Sequence, residues 1–116
     1  MTYQVEISPT ANQDIENIFL WLQQNVPNQS YRWVRGCYEI MLTLENFPNR
    51  CPLAPESEYL DIEIRQLWYQ KKYRILFSVT ENEDRGTVQI HRVRHGSQKQ
   101  IESLEEFFND REEGNE

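Results

Sequence analysis

From Ile62 to Val93 the apolar residues recur at every second position, whereas from Ala11 to Leu44 they recur at every third or fourth. This change of period constrains the fold more than any other feature, because side chains alternate across a strand and repeat every 3.6 residues on a helix. A shorter block precedes both. Tyr3, Val5 and Ile7 alternate with Thr2, Gln4 and Glu6, which reads as a strand with one buried face. Ser8-Pro9 then starts a helix: the hydroxyl can accept a bond from a free backbone N–H, and proline at the first helical position gives up no useful donor. Ala11, Ile15, Ile18, Phe19 and Leu22 form an apolar stripe that ends near Asn25-Val26-Pro27-Asn28. A second helix is expected over about residues 29–46, with Val34, Cys37, Met41 and Leu44 as its stripe and Trp33, Ile40 and Phe47 widening it. Gly36 within it costs about 1 kcal/mol relative to alanine. The short connection between the two predicts an antiparallel helical hairpin.

Three prolines mark residues 48–58 as a loop. Period two then returns in three runs: Ile62 and Ile64; Tyr73, Ile75, Phe77 and Val79; Val88 and Ile90. These predict an antiparallel meander, with Glu81-Asn82-Glu83-Asp84-Arg85-Gly86 as a turn. After Ser97, Ile101, Leu104, Phe107 and Phe108 suggest a short helix. The order gives an α+β fold, in which an N-terminal strand and an α-helical hairpin pack on one face of a small antiparallel sheet, followed by a short C-terminal helix. Residues 1–110 are expected to form one domain, and residues 111–116 an acidic, flexible tail.

With helices on one face, the other is expected to be open. If Ile62/Ile64 and Ile75/Phe77/Val79 point to the helices, Arg65 and Arg74 share that open face. Val93 falls off the register of Val88 and Ile90 by one, which a bulge near His91-Arg92 would repair. Parity alone leaves open which of His91, Arg92, Arg94 and His95 meets the two arginines. An ordinary solvated, salt-bridged sheet face accounts for Arg65 and Arg74 equally well.

No stretch reaches the roughly 20 apolar residues of a membrane span, and Met1-Thr2-Tyr3-Gln4 runs straight into the first strand, so a cytoplasmic protein is expected. Cys37 and Cys51 read as reduced structural thiols, and nothing has metal-ligand spacing, so neither a metal nor another cofactor is expected. Net charge is -7. Residues 102–116 account for most of it: Glu102, Glu105, Glu106, Asp110, Glu112, Glu113 and Glu116 stand against Arg111 alone. Two readings of this stretch stand, a solvated tail or a segment folded back over Arg65 and Arg74 as an internal mimic of a nucleic acid or a partner. Trp21, Trp33 and Trp68 read as packing. Trp68-Tyr69 and Tyr73 beside Lys71-Lys72 fit base stacking and core packing alike.

Taken in order, Tyr3-x-Val5-x-Ile7-Ser8, Ala11-x-x-Asp14-Ile15, Trp33, Leu44 to Pro48, Ile64-Arg65-x-Leu67, Tyr73-Arg74-Ile75-Leu76-Phe77 and Val93-x-His95-Gly96 resemble the RelE/ParE superfamily of toxins from type II toxin-antitoxin modules. RelE-like members resemble ribosome-dependent mRNA interferases, and ParE-like members, of the plasmid stabilisation type, resemble gyrase poisons that act by binding. The resemblance places Arg74 at the superfamily's scissile-phosphate arginine and Arg65 near a second cationic position, with His95 left for proton transfer. Only an RNase would use these three as catalytic residues. Gly96-Ser97-Gln98 stands where RelE-like chains carry further basic residues, and the final helix offers no Tyr or His as acid or base. One acid-base group contributes roughly 10²- to 10⁴-fold, so the resemblance implies a ParE-like toxin that arrests growth by binding its target, with DNA gyrase the candidate, neutralised by a cognate antitoxin. The alternatives are an mRNA interferase with ribosome and mRNA as partners, and a non-toxic, repurposed partner-binding protein. A homodimer or a toxin-antitoxin hetero-oligomer is the expected assembly.

Overall fold

The computed structural model describes residues 2–109. Strand β1 (Tyr3–Ile7) leads into helix α1 (Pro9–Asn25), whose start follows the sequence expectation: the Ser8 hydroxyl accepts the Ala11 N–H at 3.0 Å and Pro9 opens the first turn. Val26 alone separates α1 from α2 (Pro27–Leu42), a tighter hairpin than expected. Helix α2 stops four residues early. A 3₁₀ turn over Thr43–Glu45 takes its place, and Phe47 swings out to solvent on a left-handed backbone (φ 52°) instead of widening the apolar stripe.

The loop expected over residues 48–58 contains a second 3₁₀ turn and most of helix α3 (Glu56–Leu60). Strands β2 (Arg65–Tyr69), β3 (Tyr73–Glu81) and β4 (Gly86–His95) then form the antiparallel meander, and α4 (Leu104–Phe108) follows, capped by Ser103. The sheet order is β1-β4-β3-β2, with β1 added parallel to β4 so that Tyr3 stands opposite Gly86 and Ile7 opposite Ile90. The N-terminal strand therefore completes the sheet, and the hairpin covers one face.

On that face Ala11, Ile15, Leu22, Trp33, Cys37 and Met41 from the hairpin pack on Ile75, Phe77, Val88, Ile90 and Val93. The expected bulge is present. Leu76 pairs with Arg92 but Phe77 pairs with Ile90, which leaves His91 as the extra residue and returns Val93 to the helix side.

The opposite face is not open. Ala54, Leu60, Ile64, Leu76, Ile101 and Phe107 form a second core there, supplied by α3 and by the C-terminal segment crossing back over the sheet. The sequence reading failed because it treated Ile62 and Ile64 as strand residues facing the hairpin. Ile62 is instead surface-exposed, and Ile64 belongs to the second core just before β2 begins. The apolar residues contributed by α3 are too few to show a period, and the spacing that announced the C-terminal helix did not tell that its segment crosses back over the sheet.

Candidate functional site

Arg65 pairs with Phe77 and so lies on the hairpin side, which is the reverse of its expected position. Its guanidinium donates to the Cys51 carbonyl at 2.6 Å. Arg74 does point to the far face, but that face is sealed and Arg74 is 4 % exposed. Its two Nη atoms donate to both carboxylate oxygens of Glu56, at 2.9 and 2.6 Å, and one reaches the Gln66 amide oxygen at 3.1 Å. Burial by itself would raise the Glu56 carboxyl. The Arg74 bonds and charge, with the Glu56 and Ile101 backbone N–H groups, outweigh it and hold the pKa below the ordinary carboxylate value.

Arg92 and Arg94 lie beside Arg74 on this covered face, Arg94 directly across from it. Asp14 of α1 receives Arg92 through Nε at 2.7 Å and Nη2 at 3.0 Å, and also accepts the Val93 N–H at 2.9 Å, beyond the point where β1 has ended. Arg92 further bonds the Glu106 carbonyl, and Arg94 bonds that of Lys99 while Glu106 stands 3.9 Å away. Burial and then the neighbouring Arg92 charge pull the Arg94 pKa down. Within the described residues, the segment that folds back thus engages Arg92 and Arg94, not the pair Arg65 and Arg74 foreseen for the tail. Residues 110–116 lie outside the described residues.

His95 faces away from Arg74. It pairs with Tyr73, whose ring it meets edge-on at 5.2 Å, and so belongs to the hairpin side at its rim. The Ser97 backbone N–H donates to Nδ1 at 3.0 Å, which places the proton of the neutral ring on Nε2. Arg65, Arg74 and His95 therefore do not converge. Arg65 and His95 share a face but sit at opposite ends of the β2–β4 block, and Arg74 is behind the sheet. Glu56 and Asp14 are the residues that sequence reasoning missed, while Arg92 and Arg94 are the members of the open set that the structure brings beside Arg74. A carboxylate beside Pro55 in a supposed loop carried no signal, whereas Asp14 was already part of a quoted motif and a lone acid on the apolar side of α1 is a hint of a buried partner.

A concavity of about 840 Å³ opens elsewhere, where the closed end of the hairpin meets the β2–β3 turn and the end of β4. Trp21 and Val26 form its exposed apolar rim, Trp33 and Tyr73 its floor, and Arg32, Lys72 and His95 its polar margin. The turn that carries Lys72 is strained, since Gln70 and Lys71 both hold positive φ, 56° and 60°, a geometry that costs a non-glycine residue about 1–2 kcal/mol. Trp33 is fixed by rings on two sides, Tyr69 at 5.6 Å and Tyr73 at 5.0 Å. Among the described residues no group of His, Cys, Asp and Glu could hold a metal ion, and no helix is long and apolar enough to cross a membrane.

The chain belongs to the ParE toxin family: the family model described as the ParE toxin of the type II toxin-antitoxin system, parDE, matches residues 5–100. Among solved structures, a chain of the chromosomal ParDE toxin-antitoxin system from P. aeruginosa superposes with a TM-score of 0.63, at 16 % identity, over 81 % of this chain and 96 % of that one. At that identity the likeness is one of fold. No curated protein matches the sequence.

Proposed function

We propose that this ParE-type toxin acts in the cytoplasm, arresting growth by binding its target, with DNA gyrase the candidate, and that a cognate antitoxin neutralises it in a hetero-oligomer. The observation that carries this reading is the dispersal of Arg65, Arg74 and His95. Transfer of an RNA phosphate to its own 2′-hydroxyl needs cations and proton-transfer groups around one phosphate. Here Arg74 is spent on Glu56, Arg65 on a backbone carbonyl, and His95 stands on the other side of the sheet from Arg74. This supports action by binding rather than by cleavage.

The test is induced expression in a bacterial host lacking the antitoxin, with growth, DNA-damage response and mRNA integrity followed together. Arrest with a DNA-damage response and intact mRNA is expected. Ribosome-dependent mRNA cleavage, retained by purified wild type and lost in Arg74→Ala, would overturn the reading in favour of an mRNA interferase.

A further inference from the structure

The groove at the closed end of the hairpin brings two cations together with aromatic side chains. The chain carries a net charge of -7, yet none of the groove's lining residues is Asp or Glu, while Arg32 and Lys72 both line it. Neither cation has an ion-pair partner among the described residues, although all the buried arginines on the far face have one. Fixed positive charge between low-dielectric walls attracts an anionic ligand more strongly than the same charge on a flat surface.

The floor and rim carry a second, independent sign. Trp33 is 4 % exposed, and its indole Nε1–H has no acceptor among the described residues. That nitrogen is itself closed off from solvent, so the ring acts as part of the packed floor and not as a donor to an occupant. Trp21, 58 % exposed on the rim, adds a large apolar surface in the place where a binding hot spot is usually found, beside arginine and around a concave pocket. The strained Gln70-Lys71 turn holds the Lys72 side of the groove in place, and backbone strain of this kind gathers at binding sites.

Resting on the reading of the chain as a toxin that acts by binding, we infer that this groove is its target-binding site and that it takes an acidic peptide segment of the target protein with an aliphatic or aromatic anchor. The anchor packs against Trp21, Val26 and Tyr73, and the acids flank Arg32 and Lys72.

Two measurements test it. In the first, a labelled twelve-residue peptide alternating Glu with Leu and Phe, and its Gln counterpart, are titrated with the purified protein by fluorescence anisotropy. The acidic peptide is expected to bind at least tenfold tighter, with affinity falling as salt rises, and Trp21→Ala or the doubly reversed Arg32→Glu/Lys72→Glu variant should each lose tenfold or more. All three positions are exposed, and a thermal melt checks that the variants fold. Equal affinity for the two peptides, or variants that bind like wild type, would overturn the inference. In the second, growth is followed on induction. Arrest by wild type and none by the reversed variant supports a target-facing groove. Arrest by both overturns it while leaving the toxin reading intact, and if rescue by the co-expressed antitoxin is then lost, the groove belongs to the antitoxin. Absence of arrest by wild type overturns the toxin reading, and the peptide titration then decides the groove's chemistry alone.

Discussion

Glu56 of α3 and Arg74 of β3 close on each other through both Nη atoms and both carboxylate oxygens, inside a core that excludes water from either side chain. A second acceptor contact from Gln66 and a donor contact from the Ile101 N–H at 3.3 Å complete the cluster. This pair ties the α3 segment and the C-terminal segment to the centre of the sheet.

Removing one member leaves the other charged and unpaired, so Glu56→Gln should destabilise the fold by about 3–5 kcal/mol. Urea unfolding monitored by tryptophan fluorescence measures it. The pH dependence follows from the lowered folded-state pKa of Glu56: its contribution is complete above the unfolded value near 4.3 and is lost as pH falls through the folded value. Wild type should therefore lose stability in that acid range more steeply than Glu56→Gln.

Gly36 permits the contact between α2 and β2. A Cβ there would overlap the Tyr69 hydroxyl, which donates to the Trp33 carbonyl at 2.8 Å. Gly36→Ala gains helix propensity of about 1 kcal/mol but forces the tyrosine aside, so a net loss is expected from a steric cost of about 1–3 kcal/mol. In a Tyr69→Phe background the loss should shrink. A double-mutant cycle in chemical denaturation reads the coupling.

His91, the bulged residue, is packed against Phe107 and Phe108, with Nε2 2.8 Å from the Ser78 hydroxyl. Burial pushes its pKa down. Its neutral form is therefore favoured on folding, and stability should begin to fall as pH drops below the unfolded value near 6.5, because the unfolded chain takes up the proton first. Urea midpoints measured between pH 7.5 and 5 should show this slope in wild type and a shallower one in His91→Gln.

Cys37 and Cys51 are both free and buried. Burial raises both thiols, Cys37 to about 12, and for Cys51 it prevails over the nearby Arg50 and Arg65 charges. Neither should react with an aromatic disulfide reagent at pH 8 in the native protein, and both should react at once in denaturant. Rapid labelling of Cys37 in native protein would contradict its burial beneath the hairpin.

Much of the fold was legible in the sequence because long periodic segments report which face is buried. The Ser8-Pro9 start was read from capping chemistry, and the hairpin, the meander and a bulge near His91-Arg92 from spacing. The closure of the far face was not, since the five-residue helix Glu56–Leu60 shows no period of its own and the spacing of the expected C-terminal helix does not say which surface it covers. One misplaced strand start was then enough to put Arg65 on the wrong face, because strand parity reverses with a shift of a single residue. Trp21 and Trp33 were read as packing. Trp33 does pack, but the unpaired N–H that sets it apart depends on which acceptors surround it, and that is a property of the fold.

The parallel pairing of β1 with β4 also sets the order in which the molecule can assemble. Residues 3–7 meet partners at 86–90, so the edge strand must wait for the last strand of the meander. At roughly 5–20 residues per second, a ribosome takes roughly 4–16 seconds to span that interval. The hairpin can form during this time, but the groove, one wall of which contains His95 and Ser97, cannot. A nascent chain therefore carries the helices before it carries the complete groove, and a partner that recognises the hairpin alone has the first opportunity to bind.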